Sequence, residues 1–254
     1  MSLRDAHKGL TPTGNGTEEQ GSGSLRKSAK GGQIARPNGE GLKAVQNAAA
    51  KGLNTKQGNI GFVVDATGSR SSQWQDVQDT QQQMFESVMD LGSINLRLVH
   101  YGGFEITDTG WNNNPQKVAN HMAEVQCCGG ITQILDSLQK YIDDDDLQAQ
   151  SIIVIGDCFE EDMEAVPRIA EQLKERGIRV FTFLDNSRLH QPQAEQAFQT
   201  LAERTGGVFA HLGADMPLND LCKGVAMMSV GGQQALNRLG NNNVRQLLEA
   251  KPGT

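Results

Sequence analysis

Asp65, Thr67 and Ser69 occupy alternate positions in GFVVDATGSRSSQ, directly after an apolar run. A carboxylate followed by two hydroxyls presents hard oxygen donors, the kind that Mg2+ and Ca2+ take. Two more oxygen-bearing residues stand in comparable places: Thr132 follows the glycine pair of CCGGITQIL, and Asp157 ends the run SIIVIG. One such segment is weak evidence, because turns are rich in Asp, Thr, Ser and Gly. A cation site requires that the fold bring all three segments to one place.

The elements that could do this are readable from periodicity. NIGFVVDA, SINLRLVHYGG, SIIVIGD, IRVFTFLD and GVFAHLG are short apolar runs that predict strands, and the amphipathic segments after Gln73, Pro115, Thr132, Asp162, Gln193 and Pro217 predict helices. Glycines in ERGI and RTGG stop the helices before the last two strands. This alternation implies an α/β fold, a doubly wound, mostly parallel sheet flanked by helices. Ligands of such sheets bind outside the carboxyl ends of the strands, where Asp65 and Asp157 would become neighbours. The segment FEITDTGWNNNPQ reads as a polar loop, with Trp74 and Trp111 as core or rim residues, and the C-terminal helices are expected to break at Gly231-Gly232.

Charge and composition divide the chain. Residues 1–57 carry nine Lys/Arg against four Asp/Glu, a balance of +5, while the remainder carries 14 against 26, a balance of −12. We expect residues 1–56 to be a disordered basic tail, since their Gly, Ser, Thr, Gln and Asn content offers little apolar burial against the cost of ordering. Within it, GLKAVQNAAAKGL predicts a marginal helix. Residues 57–230 would form the α/β domain and 231–254 a C-terminal helical extension. An acidic body argues against nucleic-acid binding. No long apolar run or signal-like start is present, so a cytoplasmic protein without membrane contact is the expectation.

The three segments together resemble the von Willebrand factor A domain and its metal-ion-dependent adhesion site. The family pattern is D-x-S-x-S after the first strand, a Thr after a Gly-rich turn, and an Asp ending the fourth strand. DATGS, GGIT and IGD supply these in order, over roughly residues 57–230. The resemblance implies the VWA/Rossmann-like form of the fold and an octahedral Mg2+ or Mn2+ held by Asp65, Thr67, Ser69, Thr132 and Asp157. It also implies a protein partner that completes the coordination with an Asp or Glu, for instance an AAA+ ATPase, a chaperone or a kinase–phosphatase system. The chain differs from the pattern in Thr67, which stands where Ser is usual, in Cys158, where Gly often follows, and in Ile131, which separates the glycine pair from Thr132.

Other features read more plainly. Asp143–Asp146 lack the alternating ligands and central Gly of an EF-hand, so a solvated helix–strand connection is expected. Glu160, Glu161 and Asp162 are expected to complement the dipole of the helix that follows them. Cys127, Cys128, Cys158 and Cys222 show no zinc spacing and read as inert thiols, and the first three would lie near the site. No Ser–His or Cys–His spacing suggests a nucleophile with its base, so the expectation is a binding module and not an enzyme. The alternative is a haloacid-dehalogenase-like Mg-dependent phosphatase with Asp65 as nucleophile, although DATGS lacks the Lys of D-K-T-G-T and the second Asp of the phosphatases.

Overall fold

The computed structural model describes residues 57–74, 78–80, 94–185 and 191–250. The expected tail and its marginal helix, and most of the helix after Gln73, lie outside the described residues.

Strand β1 (Gly58–Asp65) is the middle of the sheet, because its apolar residues face both ways: Ile60, Phe62 and Val64 join one buried cluster and Val63 the other. Among the described residues six strands run in the order β3-β2-β1-β4-β5-β6. Here β2 is Ile94–Gly102, β3 Glu105–Asn112, β4 Ser151–Gly156, β5 Arg179–Leu184 and β6 Phe209–His211. All neighbours are parallel except β2 and β3. The chain leaves β1 toward β2 on one side and returns to β4 on the other, so the order reverses at β1 and opens a crevice beside its carboxyl end.

Helices α1 (Pro115–Glu124), α5 (Leu218–Leu236) and α6 (Asn242–Glu249) cover one face; α2 (Ile134–Ile142), α3 (Val166–Glu175) and α4 (Pro192–Thr205) cover the other. The break expected near Gly231-Gly232 is present as Gly232, at φ 60° and ψ −154°. Beyond it, Leu236, Leu239, Val244 and Leu248 enter the same apolar cluster as Leu221 and Val225.

The expected polar loop FEITDTGWNNNPQ is a strand instead. Its Glu105–Asn112 portion forms the antiparallel edge β3, joined to β2 by a two-residue turn in which Gly103 and Phe104 have φ of 62° and 65°. Positive φ at both central positions is the turn geometry that matches the twist of a hairpin. The strand looks like a loop in sequence because an outer strand buries little of either face.

One clamp fixes α2 to the sheet. The Tyr141 hydroxyl accepts the N–H of Phe62 at 3.0 Å and stands 3.0 and 2.9 Å from the carbonyls of Phe62 and Arg97. A Cβ at Gly61 would collide with that ring, so β1 admits only glycine there without movement.

Candidate metal centre

Asp65 is fully buried at the end of β1. Its Oδ1 accepts the N–H of Thr67 at 2.8 Å, a tight Asx turn that folds the exit loop back on the carboxylate. The backbone then enters a short 3-10 helix, Gly68–Gln73, closed by the N–H of Arg70 on the Thr67 carbonyl at 3.1 Å. This turn sets the Thr67 and Ser69 hydroxyls 3.0 Å apart. Ser69 donates to Asp157 Oδ1 at 3.1 Å, so Thr67 is the donor of the contact between the hydroxyls. Asp65, Thr67, Ser69 and Asp157 therefore form one connected set at the ends of β1 and β4.

Thr132 reaches this region through the loop before α2. Its Oγ1 accepts the N–H of Glu160 at 2.8 Å, and its own N–H donates to Glu160 Oε2 at 3.3 Å. The same loop is pinned to the first by the N–H of Cys128 on the Ala66 carbonyl at 3.0 Å. The three segments that the spacing singled out are thus hydrogen-bonded to one another, although no hydrogen bond joins Thr132 itself to Asp65, Ser69 or Asp157.

Asp65 Oδ2 is buried and has no hydrogen-bond partner. Burial, with the charge of Asp157 adding to it, pushes the Asp65 carboxyl up to about 6, against the hydrogen bonds from Thr67 and the charge of Arg70. An unpartnered carboxylate oxygen in low dielectric is costly unless a cation or a proton meets it. The donors gathered here, two carboxylates and three hydroxyls, are all oxygen, so the residues fit a hard divalent ion. Among the described residues no three His, Cys, Asp or Glu side chains form a cluster able to hold a metal.

Several participants escaped sequence reasoning. Arg70 is 3% exposed, and its Nε, Nη1 and Nη2 have no hydrogen-bond partner; Nη2 lies 3.5 Å from Asp185 Oδ2. Asp185 follows β5 and donates its N–H to the Gly156 carbonyl at 2.8 Å, so aspartates follow or end three adjacent strands. The FLD that ends IRVFTFLD was the available signal. Tyr101, paired in register with Asp65, is fully buried with an unpartnered hydroxyl, and burial followed by the Asp65 charge pushes that phenol well up.

Two acidic expectations need correction. Glu161 does not serve the helix that follows it, because α3 begins only at Val166. It caps α2: its carboxylate oxygens accept the N–H groups of Ile134 at 2.6 Å and Leu135 at 2.8 Å. The acid does complement a helix dipole, but that of α2, which the sheet brings beside it. Nor is the Asp143–Asp146 run merely solvated. Asp144 accepts from Arg97 Nη1 at 2.6 Å and from Trp111 Nε1 at 2.7 Å, which holds Trp111 edge-on to Tyr141. Trp74 is likewise buried and donates Nε1–H to the Val125 carbonyl at 2.8 Å.

Cys127 and Cys158 are pushed up to about 11, in both cases chiefly by burial, which leaves them protonated and unreactive near neutral pH. Cys128 is exposed and Cys222 is buried.

No family model matches the chain, and no curated protein matches it. Solved structures do. The SpRpn10 VWA domain aligns with a TM-score of 0.53 at 11% identity, covering 67% of this chain and 95% of that one. The conserved hypothetical protein BatB from Bacteroides thetaiotaomicron aligns with a TM-score of 0.52 at 12% identity, covering 72% and 98%. Proximal thread matrix protein 1 from the mussel byssus, solved with zinc in its MIDAS motif, aligns with a TM-score of 0.54 at 14% identity; the match covers 68% of this chain and 45% of that one.

Proposed function

We propose, on the premise that this chain has the von Willebrand factor A fold, that it is a metal-dependent protein-interaction module. Asp65, Thr67, Ser69, Thr132 and Asp157 would hold Mg2+ or Mn2+, the hydroxyls directly and the carboxylates in part through water. The bound ion supplies an electrophilic position that an Asp or Glu of a partner can occupy. The unpartnered Oδ2 of Asp65 carries this reading, because a buried carboxylate oxygen amid hydroxyls is what a hard cation relieves.

The chain's own groups do the rest. The Asx turn at Thr67 orients Asp65, Ser69 spans to Asp157, and Glu160 and Glu161 hold Thr132 and the start of α2. The acidic body, −12 outside residues 1–57, would repel an acidic partner at long range. The cation and the net +5 of residues 1–57 would offset that repulsion, which makes recognition depend on both. An AAA+ ATPase, a chaperone or a kinase–phosphatase system in the cytoplasm is the class of partner we favour. Among the described residues no helix is long and apolar enough to cross a membrane.

The test is affinity capture from the native cell in Mg2+, with wild type compared against Asp65→Ala after both are shown to melt alike. We expect one partner to be retained by wild type and lost by the variant and by wild type in EDTA. Identical partner lists, or Mg2+-dependent hydrolysis of an aryl phosphate abolished by Asp65→Asn, would overturn the proposal.

A further inference from the structure

A cleft of about 420 Å3 lies where β2, the start of β3 and the end of α1 meet, and its margin reaches Ala66 and Cys128. Its ionisable lining includes His100 from β2, His121 and Glu124 from α1, and Glu105 from β3. The two imidazoles meet through Nε2 atoms 3.1 Å apart, with the rings tilted by 43° and not stacked. Two imidazole nitrogens so close are joined either by a proton or by a shared cation. In a tetrahedral zinc site with bonds of about 2.0–2.1 Å, neighbouring nitrogens are roughly 3.3 Å apart. The pair needs to open by only a few tenths of an ångström to admit the ion.

The chemistry of the pair suits this. Burial, and then the neighbouring His121, push His100 down to about 4, so its ring is neutral near pH 7, the form that ligates metals. The nitrogen donors are softer than the oxygen set around Asp65 and select a different class of ion. Among the described residues no third His, Cys, Asp or Glu completes a cluster at ligating distance. Glu105 and Glu124 are exposed on the cleft, and Glu124 lies one helical turn beyond His121 on α1.

We propose that His100 and His121 bind a transition-metal ion, zinc foremost, through their Nε2 atoms, with water in the remaining positions. The ion staples α1 to β2, stabilising the sheet edge by mass action. This site shares no proposed ligand with the Asp65 centre and does not depend on it.

The test uses the full chain without a histidine tag, in excess Mg2+, titrated with Zn2+ against a chromophoric chelator and with Co2+ followed by visible absorption. We expect one zinc per chain and a ligand-field band with Co2+, both lost in His100→Gln and in His121→Gln and both kept in Asp65→Asn and Cys128→Ser. On wild type, imidazole 15N spectra should show Nε2 resonances shifting on zinc addition, a readout that needs no variant. Zinc uptake that survives both histidine substitutions, or that disappears in Asp65→Asn, places the ion elsewhere and overturns the proposal. So does a wild type that takes up no zinc and whose imidazole resonances stay in place.

Discussion

Ser69 donates its hydroxyl to Asp157 Oδ1 at 3.1 Å, joining the loop after β1 to the loop after β4. The oxygen of that hydroxyl accepts from Thr67 and keeps its other lone pair for a cation, while its own hydrogen points at the carboxylate. Removing it takes away one ligand and the orientation of another. Ser69→Ala should therefore weaken Mg2+ binding by about tenfold or more, while the metal-free melt moves by no more than roughly 1 kcal/mol, the usual worth of one hydrogen bond. Titration calorimetry alongside thermal melts in EDTA separates the two effects; unchanged affinity removes Ser69 from the ligand set.

Asp65 makes metal-free stability depend on pH in a definite direction. Its carboxyl is raised from 3.8 to about 6, so between those values the folded protein holds a proton that the unfolded chain has released. Stability then rises as pH falls: the cost is complete above the folded value and gone below the unfolded one, about 3 kcal/mol across the interval. In EDTA, wild type should gain on Asp65→Asn as pH drops from about 7.5 to about 5, since the amide has nothing to titrate. A difference between the two that stays flat over that range contradicts the assignment. Mg2+ affinity should weaken over the same range, because proton and cation compete for one carboxylate.

Glu161 closes the first turn of α2 from a loop 26 residues further along the chain. Glu161→Ala leaves the N–H groups of Ile134 and Leu135 without their acceptor and should cost about 1–2 kcal/mol, typical of a lost helix cap. Glu161→Gln retains a carbonyl oxygen and should recover part of this. Because the neighbouring Glu160 holds Thr132, the alanine variant should also bind Mg2+ more weakly. Equal stability of the alanine variant and wild type in urea titration would remove the capping role.

Arg70 brings a positive charge close enough to Asp65 to favour its ionised carboxylate. Its guanidinium nitrogens make no hydrogen bond and its ion pair with Asp185 is long, at 3.5 Å, so its charge opposes the ion more than it supports the loop. Arg70→Met keeps much of the buried volume and removes the charge, and should tighten Mg2+ binding by roughly tenfold. Weaker binding in a variant that melts like wild type would mean that Arg70 shapes the loop instead.

Much of this protein was legible in its residues. The runs around Ile60–Val64, Ile152–Ile155 and Val180–Phe183 are apolar on both faces, which only a central parallel strand requires, and they led to the sheet and to its carboxyl edge. Asp65, Thr67 and Ser69 stood out because their spacing is local, and local spacing survives in sequence. The edge strand β3 did not stand out, because an outer strand buries too little to impose an apolar pattern. Nor did Arg70 beside Asp185, Glu161 at the start of α2, Asp144 under Trp111, or His100 against His121. Each of these joins groups from different elements, and no spacing along the chain encodes such a contact. The sequence by itself determined which elements form and which side chains could offer oxygen to a cation. The tertiary structure decided which charges are buried together, because burial and distance across the sheet are properties of packing and not of the order of residues.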